Sequence, residues 1–226
     1  MTNSDLSLDK SEDLKEQVYQ LLRRMIVKRE FTPNERVDAN AIATMLNVSR
    51  TPVRDALNML DREGFIYTIA RKGTFVKGLR PEDLIELFQV REMMELYSLE
   101  LGHEKLFGSI PMMTAIVQNW DRELAQEEFD GIALMNSDER FHQYLVRQTG
   151  NSKLIDAYEQ LNCHVQMARA YFAQDIGRLK DAHQEHLGVL KALSDGDVVQ
   201  AKAALKVHLD NTLRNLLKIC EVSKVL

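Results

Sequence analysis

The chain has 226 residues, 45% of them hydrophobic and 28% charged, with a formal net charge of −5. That length and apolar content suffice for two cores of ordinary size, and no uninterrupted apolar run approaches the roughly 18 residues of a membrane span. The polar start MTNSDLSLDKSED is unlike a signal peptide, and Cys163 and Cys220, far apart in sequence, fit reduced buried thiols, so the expected location is the cytoplasm with no membrane partner.

The charge is unevenly divided. Residues 1–80 carry 14 Lys and Arg against 11 Asp and Glu, and the remainder carries 15 against 23. A mildly basic N-terminal part on an acidic body suits selective rather than indiscriminate nucleic-acid binding.

After a polar tail over residues 1–11, Leu14, Val18, Leu21, Leu22, Met25 and Ile26 form the apolar stripe of a first helix. Asp38 is positioned to cap a short second helix carrying Ile42, Ala43 and Leu46. Ser49 is the N-cap of a third helix, with Pro52 in its first turn, where backbone N–H groups lack intrahelical partners. Val53, Ala56, Leu57 and Leu60 form its buried face, which leaves Arg50, Thr51, Arg54 and Asn58 to point outward. Gly64 ends that helix, Phe65–Ile69 and Thr74–Lys77 have strand character, and Arg71, Lys72 and Gly73 make a basic turn between them. The pattern predicts a winged helix-turn-helix over residues 1–78, with Ser49, Arg50, Thr51, Arg54, Arg71, Lys72 and Gly73 against double-stranded DNA.

The segments YQLLRRMIVKREFTPNERV and AIATMLNVSRTPVRDAL, followed by the glycine-containing wing, resemble the DNA-binding domain of the GntR family of bacterial transcription regulators. Glu30 and Asn34 stand where that family often has a turn glycine. Asn tolerates the left-handed region, so the turn at residue 34 is expected to survive.

From Gly78-Leu79-Arg80-Pro81 onward the sequence is almost wholly helical. Breaks near Gly108–Pro111, Gly131, Gly150-Asn151, Gly177 and Gly196-Asp197 predict six helices, packed as an antiparallel bundle over residues 79–226. With alternating directions, the turns at Gly150 and Gly196 share an end. His186 and His208 then lie roughly 15 to 18 Å from that end, and Asp138 and His142, on one helix face at i and i+4, about 12 to 18 Å from it. A carboxylate and three imidazoles from three helices, level with one another, suit a divalent transition metal: zinc first, with nickel or manganese as alternatives.

Asp138-Glu-Arg-Phe141-His142, then Gly150-Asn151, Glu185-His186, Gly196-Asp197 and His208, are similar to the FCD ligand-binding domain that accompanies many GntR readers. That resemblance implies an all-helical domain with metal ligands at Asp138, His142, His186 and His208. It also favours an effector role for Arg91 on the first bundle helix, although an ion pair with Glu95 at i+4 is an equal reading of the residue itself. Asn211 and Arg147 are further candidates for the same pocket, and His183 competes with His186 as a ligand. His103 and His164 have no such partners, and the methionines, Met167 among them, read as core filler.

Two function classes follow. In the first, a homodimeric regulator binds operator DNA under control of a small organic acid held at the metal. A metal sensor, with the ion itself as signal, is a variant of it. In the second, the helical domain is a metalloenzyme attached to a DNA reader; no Glu in a HExxH-like arrangement supplies its base, and the chain reads as a non-enzyme.

Overall fold

Val18, Tyr19 and Leu22 are the buried side of α1 (Leu14–Val27), and they pack on Val53, Ala56, Leu57 and Leu60 of α3 (Arg50–Arg62). These elements belong to a computed structural model that describes residues 13–27, 30–78, 80–126, 130–170 and 175–223, with backbone alone at 132, 162–170, 222 and 223. The N-terminal tail and the side chains of Cys163, His164 and Met167 lie outside the described residues. Two compact units divide between Gly78 and Leu79.

In the first unit, α2 (Ala39–Met45) is capped as the sequence predicts: Asp38 Oδ1 accepts the N–H groups of Asn40 at 2.8 Å and Ala41 at 3.3 Å. Those bonds, assisted by the nearby charges of Arg36 and Arg50, hold the Asp38 carboxyl below the usual range. Ser49 occupies the N-cap of α3 with extended backbone, but its hydroxyl makes no capping hydrogen bond. The turn that starts α3 is set instead by Asn47, at φ 51, and its polar side chain makes the left-handed region tolerable. Asn34 is left-handed as well, at φ 64, so the turn survives the missing glycine.

The wing is β2 (Ile66–Ile69) against β3 (Gly73–Val76), antiparallel; β2 starts one residue later than the sequence suggests, and β3 is displaced by one residue toward the N-terminus. A third strand that periodicity could not show, β1 (Arg36–Val37), pairs with the other edge of β3, giving the order β1-β3-β2. Two residues carry no alternation to read. Gly73 adopts φ 126, a backbone conformation that favours glycine, and a Cβ there would stand 2.8 Å from Arg36 Nε, so the arginine side chain would have to shift as well.

The second unit holds the six expected helices: α4 (Pro81–Gly108), α5 (Ile110–Leu124), α6 (Gly131–Arg147), α7 (Ser152–Ala170), α8 (Ile176–Ser194) and α9 (Val198–Ser223). Packing departs from a ring of sequence neighbours. The long α4 lies mainly against α9, α6 and α7, while α5 packs on α6 and α8. A core of Leu99, Leu106, Met113, Val117, Phe141, Leu145, Val189, Leu193, Leu205 and Leu209 fills the centre. Gly102 brings α4 close to the end of α6, since a Cβ there would sit 3.1 Å from the backbone of Gln148 and Thr149. The buried stripe of α4 runs through Leu84, Leu87, Phe88, Arg91, Glu95, Leu99 and Leu106, so two charged residues lie within an apolar series.

Candidate metal centre and DNA-reading face

Asp138 and His142 stand one turn apart on α6, and α8 and α9 bring His186 and His208 beside them. All four offer a ligand atom within 4.8 Å of every other. His142 Nε2 is 3.1 Å from His208 Nε2 and 3.2 Å from His186 Nε2. Asp138 Oδ1 is 3.4 Å from His186 Nε2 and 3.6 Å from His142 Nε2. Ligands about 2.1 Å from one shared ion stand about 3.0 to 3.4 Å apart at octahedral or tetrahedral angles, so this spacing fits a single metal.

The opposite ring nitrogens decide what these atoms can do. His142 Nδ1 is 2.7 Å from Glu95 Oε2, and His208 Nδ1 is 2.7 Å from Glu185 Oε2. A carboxylate only accepts, so each Nδ1 carries the proton and each Nε2 presents a lone pair. Two lone pairs at 3.1 Å repel unless a cation lies between them. Carboxylate-held imidazoles of this kind are the usual support of a metal-bound histidine. The donor set therefore fits a borderline divalent ion.

Glu95 is fully buried, and its Oε1 accepts from Arg91 Nε and Tyr158 OH, both at 2.6 Å. Burial raises the carboxyl, but the charge of Arg91 and the hydrogen bonds from His142 and Tyr158 outweigh it and hold the group far below the usual range. Glu185 accepts in addition from both Arg178 terminal nitrogens, at 3.2 and 2.9 Å, and from Asn211 Nδ2 at 2.8 Å. Burial keeps His208 well below the usual histidine value, which leaves its ring neutral.

A pocket of about 350 Å³, open mouth included, adjoins the cluster and is lined by Trp120, Met135, Asp138, Arg178, Leu179, Ala182, His208 and Thr212. Trp120 also meets the His186 ring edge-on at 4.9 Å, and Phe141 stacks on that ring at 4.2 Å. These contacts fix the imidazole orientation by packing.

In the first unit, Ser49, Arg50, Thr51 and Arg54 are exposed along the first turns of α3, and Arg71 and Lys72 are exposed at the wing tip. Arg71 holds φ 66 there. Arg36, which sequence reasoning passed over, comes from β1 and lies against Gly73 of the wing. The surface so formed is a helix with two arginines beside a basic hairpin.

A family model for bacterial regulatory proteins of the gntR family matches residues 14–76, and the FCD domain model matches residues 86–211. The chain belongs to the GntR family and carries an FCD domain. This GntR regulator is 30% identical to the Nta operon transcriptional regulator of Aminobacter aminovorans, over 86% of its own length and 90% of the relative's. It is 27% identical to the Uxu operon transcriptional regulator of Escherichia coli, over 93% and 89% respectively. Its fold matches that of E. coli McbR/YncC with a TM-score of 0.73 at 19% identity, covering 92% of this chain and 98% of that one. The relatives are transcriptional regulators rather than enzymes, and none of the helices described is long and apolar enough to cross a membrane.

Within this regulator the predicted residues fall into two groups. Asp138, His142, His186 and His208 come together, and Arg91 stands one residue away from them, through Glu95. The ion-pair reading of Arg91 is the one observed: Nε pairs with Glu95, while the buried Nη2 has no hydrogen-bond partner among the described residues. Asn211 is engaged with Glu185 and with Arg214 Nη1. Other candidates lie apart. His183 Nε2 pairs with Asp121 at 2.6 Å, outside the cluster, and Arg147 is a surface residue paired with Glu159. His103 meets the Glu100 carbonyl, and Cys220 is a buried thiol. Arg178, Trp120 and Tyr158 were not legible as site residues. The signal available for Glu95 was its place on the apolar stripe of α4.

Proposed function

We propose that this GntR regulator binds an operator as a homodimer in the cytoplasm, and that a small carboxylate metabolite held at a metal site in its second unit controls operator affinity. The observation that carries the reading is the four-donor cluster in which two imidazoles are tautomerically fixed by Glu95 and Glu185. Asp138, His142, His186 and His208 hold the ion, zinc by preference, with nickel or manganese also compatible with the donors. When bound, it supplies a centre of net charge +1, because one carboxylate and three neutral imidazoles surround a doubly charged cation, and such a centre attracts an anion. Arg91 Nη2, buried and lacking an acceptor among the described residues, provides a second group for an acid oxygen. Asn211 contributes by holding Glu185, with its own reach to the acid requiring that this bond open.

On the DNA side, Arg50, Thr51 and Arg54 read base edges and adjacent phosphates, while Ser49, Arg71, Lys72 and Gly73 approach the backbone, joined by Arg36. Two-fold symmetry of the protein matches a near-palindromic operator. Support for the homodimer comes from α4, where Val90, Met93, Tyr97 and Leu101 form an exposed apolar stripe at helical spacing.

The test is operator affinity of the zinc-loaded chain with and without small acids. An acid that changes operator affinity only when zinc is present supports the reading. A response that follows zinc alone, with no acid effective, replaces it with a metal sensor.

A further inference from the structure

The pocket beside the cluster says what kind of acid enters. Two of its lining residues, Asp138 and His208, belong to the ligand quartet, so an anion on the ion extends into this space. Four others, Trp120, Met135, Leu179 and Ala182, are apolar walls. The two remaining polar ones are already engaged. Arg178 is 5% exposed, faces both oxygens of Glu185, and donates to Thr212 Oγ1 at 2.8 Å. Thr212 in turn donates to the His208 carbonyl at 2.8 Å.

Hydroxyl groups moved from water into such a space would find few partners, and each unpaired one costs about 1 to 3 kcal/mol. One donor is left over. Trp120 is 1% exposed, and its Nε1–H has no hydrogen-bond partner among the described residues. Much of the volume of about 350 Å³ is open solvent at the mouth, so the enclosed space is small and admits only a short molecule.

From these features we infer that the effector is a short carboxylic acid with an apolar substituent packed on Met135, Leu179 and Ala182, and with one oxygen accepting from Trp120 Nε1. It is not a polyhydroxylated sugar acid. This rests on the carboxylate reading above and narrows it. Trp120 is thereby a specificity residue of the pocket, as well as a wall of the His186 site.

Calorimetry on the full chain, loaded with zinc, tests this with pyruvate, 2-oxobutanoate, 2-oxopentanoate and D-gluconate. The expected result is a rise of about fourfold in affinity per added methylene along the 2-oxo acids until the space is filled. D-gluconate binds more weakly than 2-oxopentanoate. Trp120→Phe keeps the ring and removes the donor, so it weakens all three 2-oxo acids alike, by about 2- to 12-fold. Affinity that is flat along the series, or D-gluconate as the tighter ligand, overturns the inference and leaves the carboxylate reading in place. Unchanged binding in Trp120→Phe removes the residue from the pocket's recognition. A chain that takes up no zinc, or that takes it up and binds none of the four acids, overturns the parent reading and this inference together.

Discussion

Glu95 Oε2 accepts the Nδ1–H of His142 at 2.7 Å, and that bond turns the lone pair of His142 Nε2 toward His186 and His208. The same carboxylate neutralises the fully buried Arg91. One side chain on α4 thus ties His142 on α6 to a buried cation and to Tyr158 on α7.

Glu95→Gln is expected to act on both. Removing one partner of a buried ion pair leaves Arg91 uncompensated, at a cost of about 3 kcal/mol or more in unfolding free energy. Zinc affinity should fall about 10- to 100-fold, because the orienting acceptor is weaker and the His142 tautomer is no longer fixed. Urea denaturation and a chelator competition titration read the two effects separately. Equal zinc affinity in Glu95→Gln and wild type would remove Glu95 from the metal account.

Metal removal should lower stability by linkage. At a free zinc concentration of about 100 times Kd the bound ion adds about 2.7 kcal/mol, and for a chain of this length each kcal/mol moves Tm by roughly 2 to 4 °C. A chelator is therefore expected to lower Tm by roughly 5 to 10 °C and zinc to restore it. In His142→Ala, thermal scans with and without zinc should superimpose.

The DNA-reading face predicts two kinds of loss. Arg50→Ala or Arg54→Ala should cost about 1 to 3 kcal/mol on a selected operator and relax preference at one base pair. Lys72→Ala should weaken all duplexes alike and lower the slope of log affinity against log salt by about 1. Anisotropy titrations at several salt concentrations distinguish them. Operator binding unaffected by the loss of both arginines would place recognition elsewhere.

The α4 stripe predicts the assembly state. A Met93→Glu, Tyr97→Glu double variant puts two charges into an apolar contact and should convert a dimer to a monomer in light scattering coupled to size exclusion. Both residues are exposed in the single chain, so its fold should be retained, as circular dichroism would show. A dimer that persists assigns the interface to another surface.

Much of this was legible in the sequence because the controlling patterns are local. Asp38, Gly64 and the Val53-Ala56-Leu57-Leu60 face announce α2 and α3 through capping and helical periodicity. The breaks at Gly150 and Gly196, both at positive φ, mark helix ends by the same logic. Asp138 and His142 were visible as an i,i+4 pair, and level depth in the bundle suggested His186 and His208 as companions. What escaped depends on tertiary contacts. Whether Arg91 and Glu95 face solvent or core is not fixed by their spacing, and burial on the stripe with Leu84 and Leu99 made them a buried pair. Arg178 meets Glu185 two turns away, and Trp120 reaches the site from α5, a helix with no ligand of its own. Strand β1 is two residues long and exists only because β3 offers its edge.

Metal content measures directly whether Asp138, His142, His186 and His208 hold one divalent ion. Each purified variant is stripped with chelator, equilibrated with zinc, dialysed, and analysed for metal by mass spectrometry. One zinc per chain is expected in wild type and in His183→Ala, whose imidazole is committed to Asp121 outside the cluster. Content close to none is expected in His142→Ala, His186→Ala and His208→Ala. Wild-type protein that retains no metal, or His186→Ala retaining it while His183→Ala loses it, would contradict the assignment.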